Sequence, residues 1–157
     1  MNHSNRLEEL VIIHENTLFR TALAILGDRH EAEDAVQETF LRYLEKRPEL
    51  RDSEHEKAWL LKVTANRCKS VLRARQRHPA VELLDVYPAP DETGRELLEA
   101  VMSLPANQRA AVHLHYYEGC STSEIADILG QRPGTVRSHL SRARETLRRW
   151  LDDGKEN

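Results

Sequence analysis

A chain of 157 residues, 31% of them charged and 5% aromatic, with a mean hydropathy of −0.65, is a water-exposed protein with a modest core. No stretch approaches the roughly 20 apolar residues of a membrane span, and Met1 to Arg6 is polar where a secretory signal would turn apolar, so a cytoplasmic protein is expected. The net charge of −3 argues against an indiscriminate nucleic-acid binder, and Cys68 and Cys120, far apart and without a CxxC partner, suggest neither a disulfide framework nor a zinc site.

Apolar spacing is helical almost throughout and no run alternates at period two for long enough to suggest a strand, so the class is all-α. Leu7, Leu10, Val11, His14, Leu18, Ala22 and Ile25 trace one stripe of a first helix, which Gly27 can end in a left-handed conformation. Asp28 stands three residues before Glu31, a capping-box-like start for a second helix with the stripe Ala32, Ala35, Val36, Phe40, Tyr43 and Leu44. Pro48 stops it. After the polar loop Glu49 to Glu54, a third helix carries Trp59, Leu60, Val63, Thr64, Cys68, Val71 and Leu72, and gives way to an Arg-rich end before Pro79. These three helices make one small bundle.

Half of the six prolines, Pro79, Pro88 and Pro90, then fall within twelve residues, among acids and without a periodic apolar pattern, which reads as a linker. A second unit begins near Thr93, with a short helix through Met102 and another that Pro105 opens at its first position and Gly119 ends. Two units of about 75 and 65 residues lie near the lower limit for an independent core, so each is expected to lean on a partner.

Charge is sorted along this frame. Residues 67 to 77 carry a net +5 and residues 132 to 149 another +5, while residues 80 to 104 between them carry −5. For a charge run alone, a solvated helix face is the ordinary explanation. The last third of the chain says more. Ser121-Thr122-Ser123-Glu124 forms a capping box for a helix with Ile125, Ala126, Ile128 and Leu129 on its apolar side, and Gly130 ends it. Pro133 opens the next helix, where Val136, Leu140, Ala143 and Leu147 repeat at the spacing that buries one face, although Arg132 stands where a Ser, Thr, Asp or Asn cap would serve better. Two short helices joined by a Gly-containing turn form the helix-turn-helix pattern that binds duplex DNA in a major groove. The opposite face of the second helix presents Arg137, Ser138, Ser141 and Arg142, combining donors that read guanine edges with short hydroxyls suited to phosphate or close base approach.

His113, His115 and Cys120 cluster near two tyrosines, but an HxH pair on a helix points its rings about 200° apart, and no acid is expected to orient either histidine. Neither a metal, a cofactor nor a catalytic group is expected, and the protein is read as a non-enzyme.

The stretch from Leu104-Pro105 through Arg109, Tyr117-Glu118-Gly119, STSEIADILG at 121 to 130 and GTVRSHLSRAR at 134 to 144 resembles region 4 of the sigma-70 superfamily. EAEDAVQETFLRYL at 31 to 44 resembles region 2 of the small extracytoplasmic-function type, and AWLLKVTANRCKSVLRARQR at 58 to 77 resembles its minus-10 reading segment. With both blocks in the family's order over about residues 6 to 151, the chain is identified as a member of the extracytoplasmic-function sigma factors. The resemblance implies two small helical domains, region 2 at 6–78 and region 4 at 93–151, joined by a flexible acidic linker at 79–92.

It also implies site residues and partners. Asp34, Gln37, Glu38 and Leu41 would dock on the clamp helices of the beta-prime subunit of core RNA polymerase, and region 4 on the beta flap. The loop from Glu49 to Lys57, with Trp59, Lys62 and Asn66, would capture bases of the melted non-template strand, while Arg67, Lys69, Arg73 and Arg75 would contact phosphates. Trp59 has a second reading, since an isolated Trp at a helix start is more often core. Thr135, Arg137, Ser138, His139, Ser141 and Arg142 would read the minus-35 element of promoter DNA. An anti-sigma factor is the further partner the resemblance implies. The chain departs from the family's usual pattern at Ser70, Pro133, His139 and Ser141. A dimeric helix-turn-helix repressor is the alternative; it would explain residues 105 to 151 but not the block at 31 to 77.

Overall fold

The computed structural model describes residues 3–75 and 92–155, all of whose regular structure is helical. The expected linker at 79–92 lies, up to residue 91, outside the described residues. Helix α1 (His3–Leu26) buries Leu10, Leu18, Ala22, Leu23 and Leu26, and Gly27 ends it at φ 70° with its N–H on the Leu23 carbonyl at 2.7 Å. Asp28 caps α2 (Arg29–Lys46) by accepting from the Glu31 N–H, and Arg47 closes it in the left-handed region at φ 43°.

Helix α3 (Ser53–Ala74) starts inside the stretch expected to be loop through Glu54. The cause is a side-chain cap: Asp52 accepts from the His55 N–H at 2.8 Å and satisfies a first-turn donor two residues earlier than the apolar pattern signals. The same turn buries Glu56, which pairs with Arg6 and lies 3.3 Å from Nε2 of the buried His14. An acid shut in this way needs partners, and α1 supplies both.

The second half comprises α4 (Glu92–Met102), α5 (Ala106–Val112), α6 (Thr122–Leu129) and α7 (Pro133–Lys155). Pro105 stands one residue earlier than expected, as the N-cap of α5 and not its first helical residue. Helix α5 runs on into a π-helical turn, His113–Tyr117, in which the Glu118 N–H reaches the His113 carbonyl at 3.1 Å. This wider turn corrects the expectation that no acid orients a histidine. It folds Glu118 back so that its Oε1 lies 3.3 Å from His113 Nε2, a contact invisible to regular 3.6-residue spacing.

The two halves share one apolar core, in which Leu23, Leu26, Leu60 and Leu61 of the first belong with Leu104, Leu114 and Ile128 of the second. Polar groups fasten the seam. The buried Arg109 guanidinium donates to the Ala24 carbonyl, to the Ile25 carbonyl at 3.1 Å and to the Leu104 carbonyl at 2.9 Å. It thereby satisfies carbonyls at the end of α1 that have no partner in their own helix. Glu118 gathers Arg20 at 3.3 Å and Lys57 at 3.9 Å from the first half around its carboxylate. Burial alone would raise its pKa, but His113, Arg20 and Lys57 outweigh that and hold it below the usual carboxylate value. The partner each half leans on is, in this arrangement, the other half.

Candidate nucleic-acid interface

The helix-turn-helix is built by its caps. Ser121 Oγ accepts from the Glu124 N–H at 3.1 Å and the Glu124 carboxylate accepts from the Ser121 N–H at 2.9 Å, the reciprocal box expected from STSE. Those hydrogen bonds hold the Glu124 pKa low. Gly130 turns the chain at φ 65°, and α7 begins three residues later. Val136, Leu140 and Ala143 bury one face of α7, which leaves Thr135, Arg137, Ser138, Ser141 and Arg142 exposed together on the other. His139 sits apart from them. It is half-buried, with Nδ1 enclosed and lacking a hydrogen-bond partner.

Farther along α7, Arg144 lies over the Tyr116 ring at 5.7 Å and donates to its hydroxyl, while Arg148 and Arg149 both pair with Glu145. Sequence reading missed the Tyr116–Arg144 pair because the two lie 28 residues apart and meet only through the π-helical turn. The signal was present in two adjacent tyrosines on a helix otherwise poor in aromatics.

On the other half, α3 exposes Lys62, Asn66, Arg67 and Arg73 and half-buries Lys69 and Trp59. Trp59 packs edge-on against Tyr43, with ring centroids 6.3 Å apart. It also lines an open groove of about 570 Å³ between α2 and α3, walled by Glu38, Arg42, Lys46, Lys62, Asn66 and Arg67. Trp59 thus packs on Tyr43 and lines the groove at once. Arg42 and Lys46 were not anticipated, since in sequence they are only basic residues on an acidic helix.

Arg75, expected at DNA phosphates, is otherwise engaged. It is half-buried, donating to the Leu26 carbonyl at 2.7 Å and pairing with Glu31 at 3.0 Å. Lys62 Nζ lies 3.3 Å from Asp127 Oδ1 of α6, an exposed pair. Asp34, Gln37, Glu38 and Leu41 are all exposed on α2, opposite the buried Ala35, Val36, Phe40 and Tyr43, and Leu41 is an apolar residue 53% open to solvent.

Both cysteines are free and buried. Burial pushes the Cys68 thiol up to about 12 and raises that of Cys120, so neither is a ready thiolate. Among the described residues, no group of three or more His, Cys, Asp or Glu side chains could hold a metal ion, and no helix is long and apolar enough to cross a membrane.

Known proteins share this arrangement. Residues 10–78 match the family model for sigma-70 region 2 and residues 94–147 that for sigma-70 region 4. The chain is 36% identical over 157 aligned residues to the ECF RNA polymerase sigma factor SigE of Mycolicibacterium smegmatis, covering 92% of this chain and 61% of that protein. It is 34% identical to the ECF sigma factor SigM of Mycobacterium tuberculosis, covering 92% of this chain and 76% of SigM. Among solved structures, the sigma factor RpoE of Bartonella quintana, in complex with the anti-sigma factor NepR, superposes with a TM-score of 0.71 at 26% identity, over 92% of this chain and 96% of that one. CnrH, in complex with the cytosolic domain of CnrY, gives 0.67 at 25% identity, over 96% and 90% of the two chains.

Proposed function

Because the chain belongs to the extracytoplasmic-function family of RNA polymerase sigma factors, we propose that it docks on core polymerase in the cytoplasm, reads promoter DNA at two elements and starts transcription there. The observation that carries this reading is the presence of two separate DNA-suited faces in one chain. One is the exposed Thr135, Arg137, Ser138, Ser141 and Arg142 set on α7; the other is the α2–α3 groove rimmed by Lys62, Asn66 and Arg67.

The roles follow from the chemistry of each group. A guanidinium on α7 can donate two parallel hydrogen bonds to a guanine edge in the major groove, and the serine and threonine hydroxyls can reach phosphates. His139, half-buried, contributes shape more than a hydrogen bond. In the groove, the Asn66 amide can pair with the edge of an unstacked base, the Trp59 ring offers a stacking surface, and Lys62 and Arg67 can neutralise backbone charge, with Lys69 and Arg73 farther along α3 doing the same. Asp34, Gln37, Glu38 and Leu41 offer polymerase a polar strip with one exposed leucine at its end. The beta flap is the partner proposed for the second half. An anti-sigma factor is the natural regulator, as RpoE of Bartonella quintana has in NepR. A dimeric repressor would leave the α2 strip and the groove without work to do.

The test is to mix the purified chain with core polymerase and score transcription from its own upstream promoter. Initiation is expected from the mixture only, and charge reversal of Asp34 and Glu38 should abolish it. Transcription that does not depend on the chain, or that survives the reversals, would refute the reading.

A further inference from the structure

The arginines of α7 differ in what holds them. Arg148 and Arg149 both pair with Glu145, so a carboxylate offsets part of their charge. Arg144 has no acidic partner among the described residues. Its guanidinium lies over the Tyr116 ring, 5.7 Å from the centroid, and its Nε–H donates to the Tyr116 hydroxyl. A phenol holds a cation in place without neutralising it. The phenol is itself seated: its ring meets that of His115 edge-on at 4.7 Å, and His115 Nδ1 lies 2.9 Å from the carbonyl oxygen of Cys120, the residue before the Ser121 cap. Tyr116 therefore has a fixed place although it is 58% exposed.

Arg144 follows Arg137 by two turns of helix, so it lies on the same edge of α7 about 10 Å farther along. A recognition helix reads bases with its N-terminal residues, and the turns that follow run past the phosphates that border the groove. The two terminal nitrogens of Arg144 make no hydrogen bond among the described residues, which leaves a planar fork of donors suited to two oxygens of one phosphate. We propose that Tyr116 and Arg144 form a backbone-phosphate site beside the base-reading face, with Arg144 as the contact and Tyr116 as the residue that positions it. The proposal rests on the reading of α7 as the duplex-reading helix. The gain from Tyr116 is entropic: an exposed arginine loses rotamer freedom when it grips a phosphate, and this one has already lost part of it in the free chain. Such a site fixes register without reading sequence, and it ties that register to the π-helical turn as well as to α7.

Fluorescence anisotropy on the full chain tests this, with fluorescein-labelled duplexes of about two helical turns titrated between about 50 and 200 mM salt. One duplex carries the minus-35 element of the chain's own upstream promoter and the other is scrambled. Arg144→Ala should lower the slope of log affinity against log salt by about one and cost about eightfold at about 0.1 M salt, on both duplexes alike. Arg149→Ala removes the same formal charge from an arginine that Glu145 already offsets, and should move the slope clearly less. Tyr116→Phe keeps the ring and loses the hydroxyl; it should cost about threefold at an unchanged slope, because the same charge reaches the phosphate from a looser side chain. In the Arg144→Ala chain, Tyr116→Phe should cost nothing more. Arg144→Lys should keep the slope and lose part of the affinity. An unchanged slope for Arg144→Ala would overturn the site, and a Tyr116→Phe loss that is absent, or that persists in the Arg144→Ala chain, would overturn the positioning role. Arg137→Ala separates this from the wider reading. If it weakens binding to the minus-35 duplex while Arg144→Ala does nothing, only the phosphate site falls; if neither changes duplex binding, α7 is not the duplex-reading helix and the site falls with it.

Discussion

Replacing Arg109 with alanine should uncouple the two halves. In the folded chain its guanidinium spans the seam, donating to the Ala24 and Ile25 carbonyls of α1 and to that of Leu104. Hydrogen bonds made by a charged donor contribute about 1.5–3 kcal/mol each, and bonds that share one cation are not additive, so the two that cross the seam should contribute about 3 kcal/mol of coupling. That is a large part of the 5–15 kcal/mol by which a domain is typically stable. Each half holds one tryptophan, Trp59 in the first and Trp150 in the second, so Trp150→Phe and Trp59→Phe chains report on the halves separately by fluorescence in urea. With Arg109 present, the two transitions should coincide. With Arg109→Ala, the weaker half should unfold about 1–2 M earlier, given a slope near 2 kcal/mol per molar urea. Arg109→Lys should behave almost as alanine, because an ammonium cannot span the same three carbonyls. Transitions that stay coincident at an unmoved midpoint would show that the guanidinium does not couple the halves.

Arg137→Ala and Arg142→Ala should each cost about 1–3 kcal/mol on the cognate minus-35 duplex and relax preference at one position, whereas Arg148→Ala should weaken binding evenly across sequences. Equal losses on cognate and scrambled duplexes for Arg137→Ala would remove it from the reading face. Asn66→Ala should leave closed-duplex binding intact and lower the permanganate reactivity of unpaired thymines in the holoenzyme complex; unchanged reactivity would exclude it. Acid should destabilise the fold from below about pH 6.5, because burial lowers the pKa of both His14 and His113, so the unfolded chain takes up protons there that the folded chain refuses. For His113 the nearby Glu118 opposes that shift without cancelling it. Urea midpoints measured from pH 8 to 5 should fall as pH drops, and His14→Gln should flatten part of the slope.

What could be read before the fold was known divides along physical lines. Contacts within one turn of helix were legible, because caps and glycines write them into short motifs: Asp28 with Glu31, the Ser121–Glu124 box, and Gly27 and Gly130 at positive φ all stand where the residues indicate. Apolar stripes were legible for the same reason, since the period that buries Val136, Leu140 and Ala143 is the period that exposes Arg137, Ser138, Ser141 and Arg142. Contacts that join distant parts of the chain were not. Nothing near Arg109 in sequence shows that it will meet Ala24 and Ile25, nor that Arg75 will be drawn to Leu26 and Glu31 and away from the solvent. The π-helical turn at His113–Tyr117 hid two pairs at once, Glu118 with His113 and Tyr116 with Arg144, because extrapolating a regular helix misplaces both partners. Asp127 on Lys62 was equally invisible, two exposed and unremarkable charges until the halves meet.

We expect this chain to become a promoter-specific binder only when docked on polymerase, with its halves separated and both readers fixed at promoter spacing. Docking turns the second contact into an intramolecular one at high effective concentration, while a free chain of net charge −3 has little long-range attraction for phosphate. The direct measurement is affinity for the cognate promoter against a scrambled duplex, at one physiological salt concentration, for the free chain and for the chain with core polymerase. The holoenzyme should bind the promoter far more tightly than the free chain and discriminate strongly against the scrambled duplex, with charge reversal of Asp34 and Glu38 removing that gain. Tight, sequence-specific binding by the free chain would show that specificity does not depend on docking.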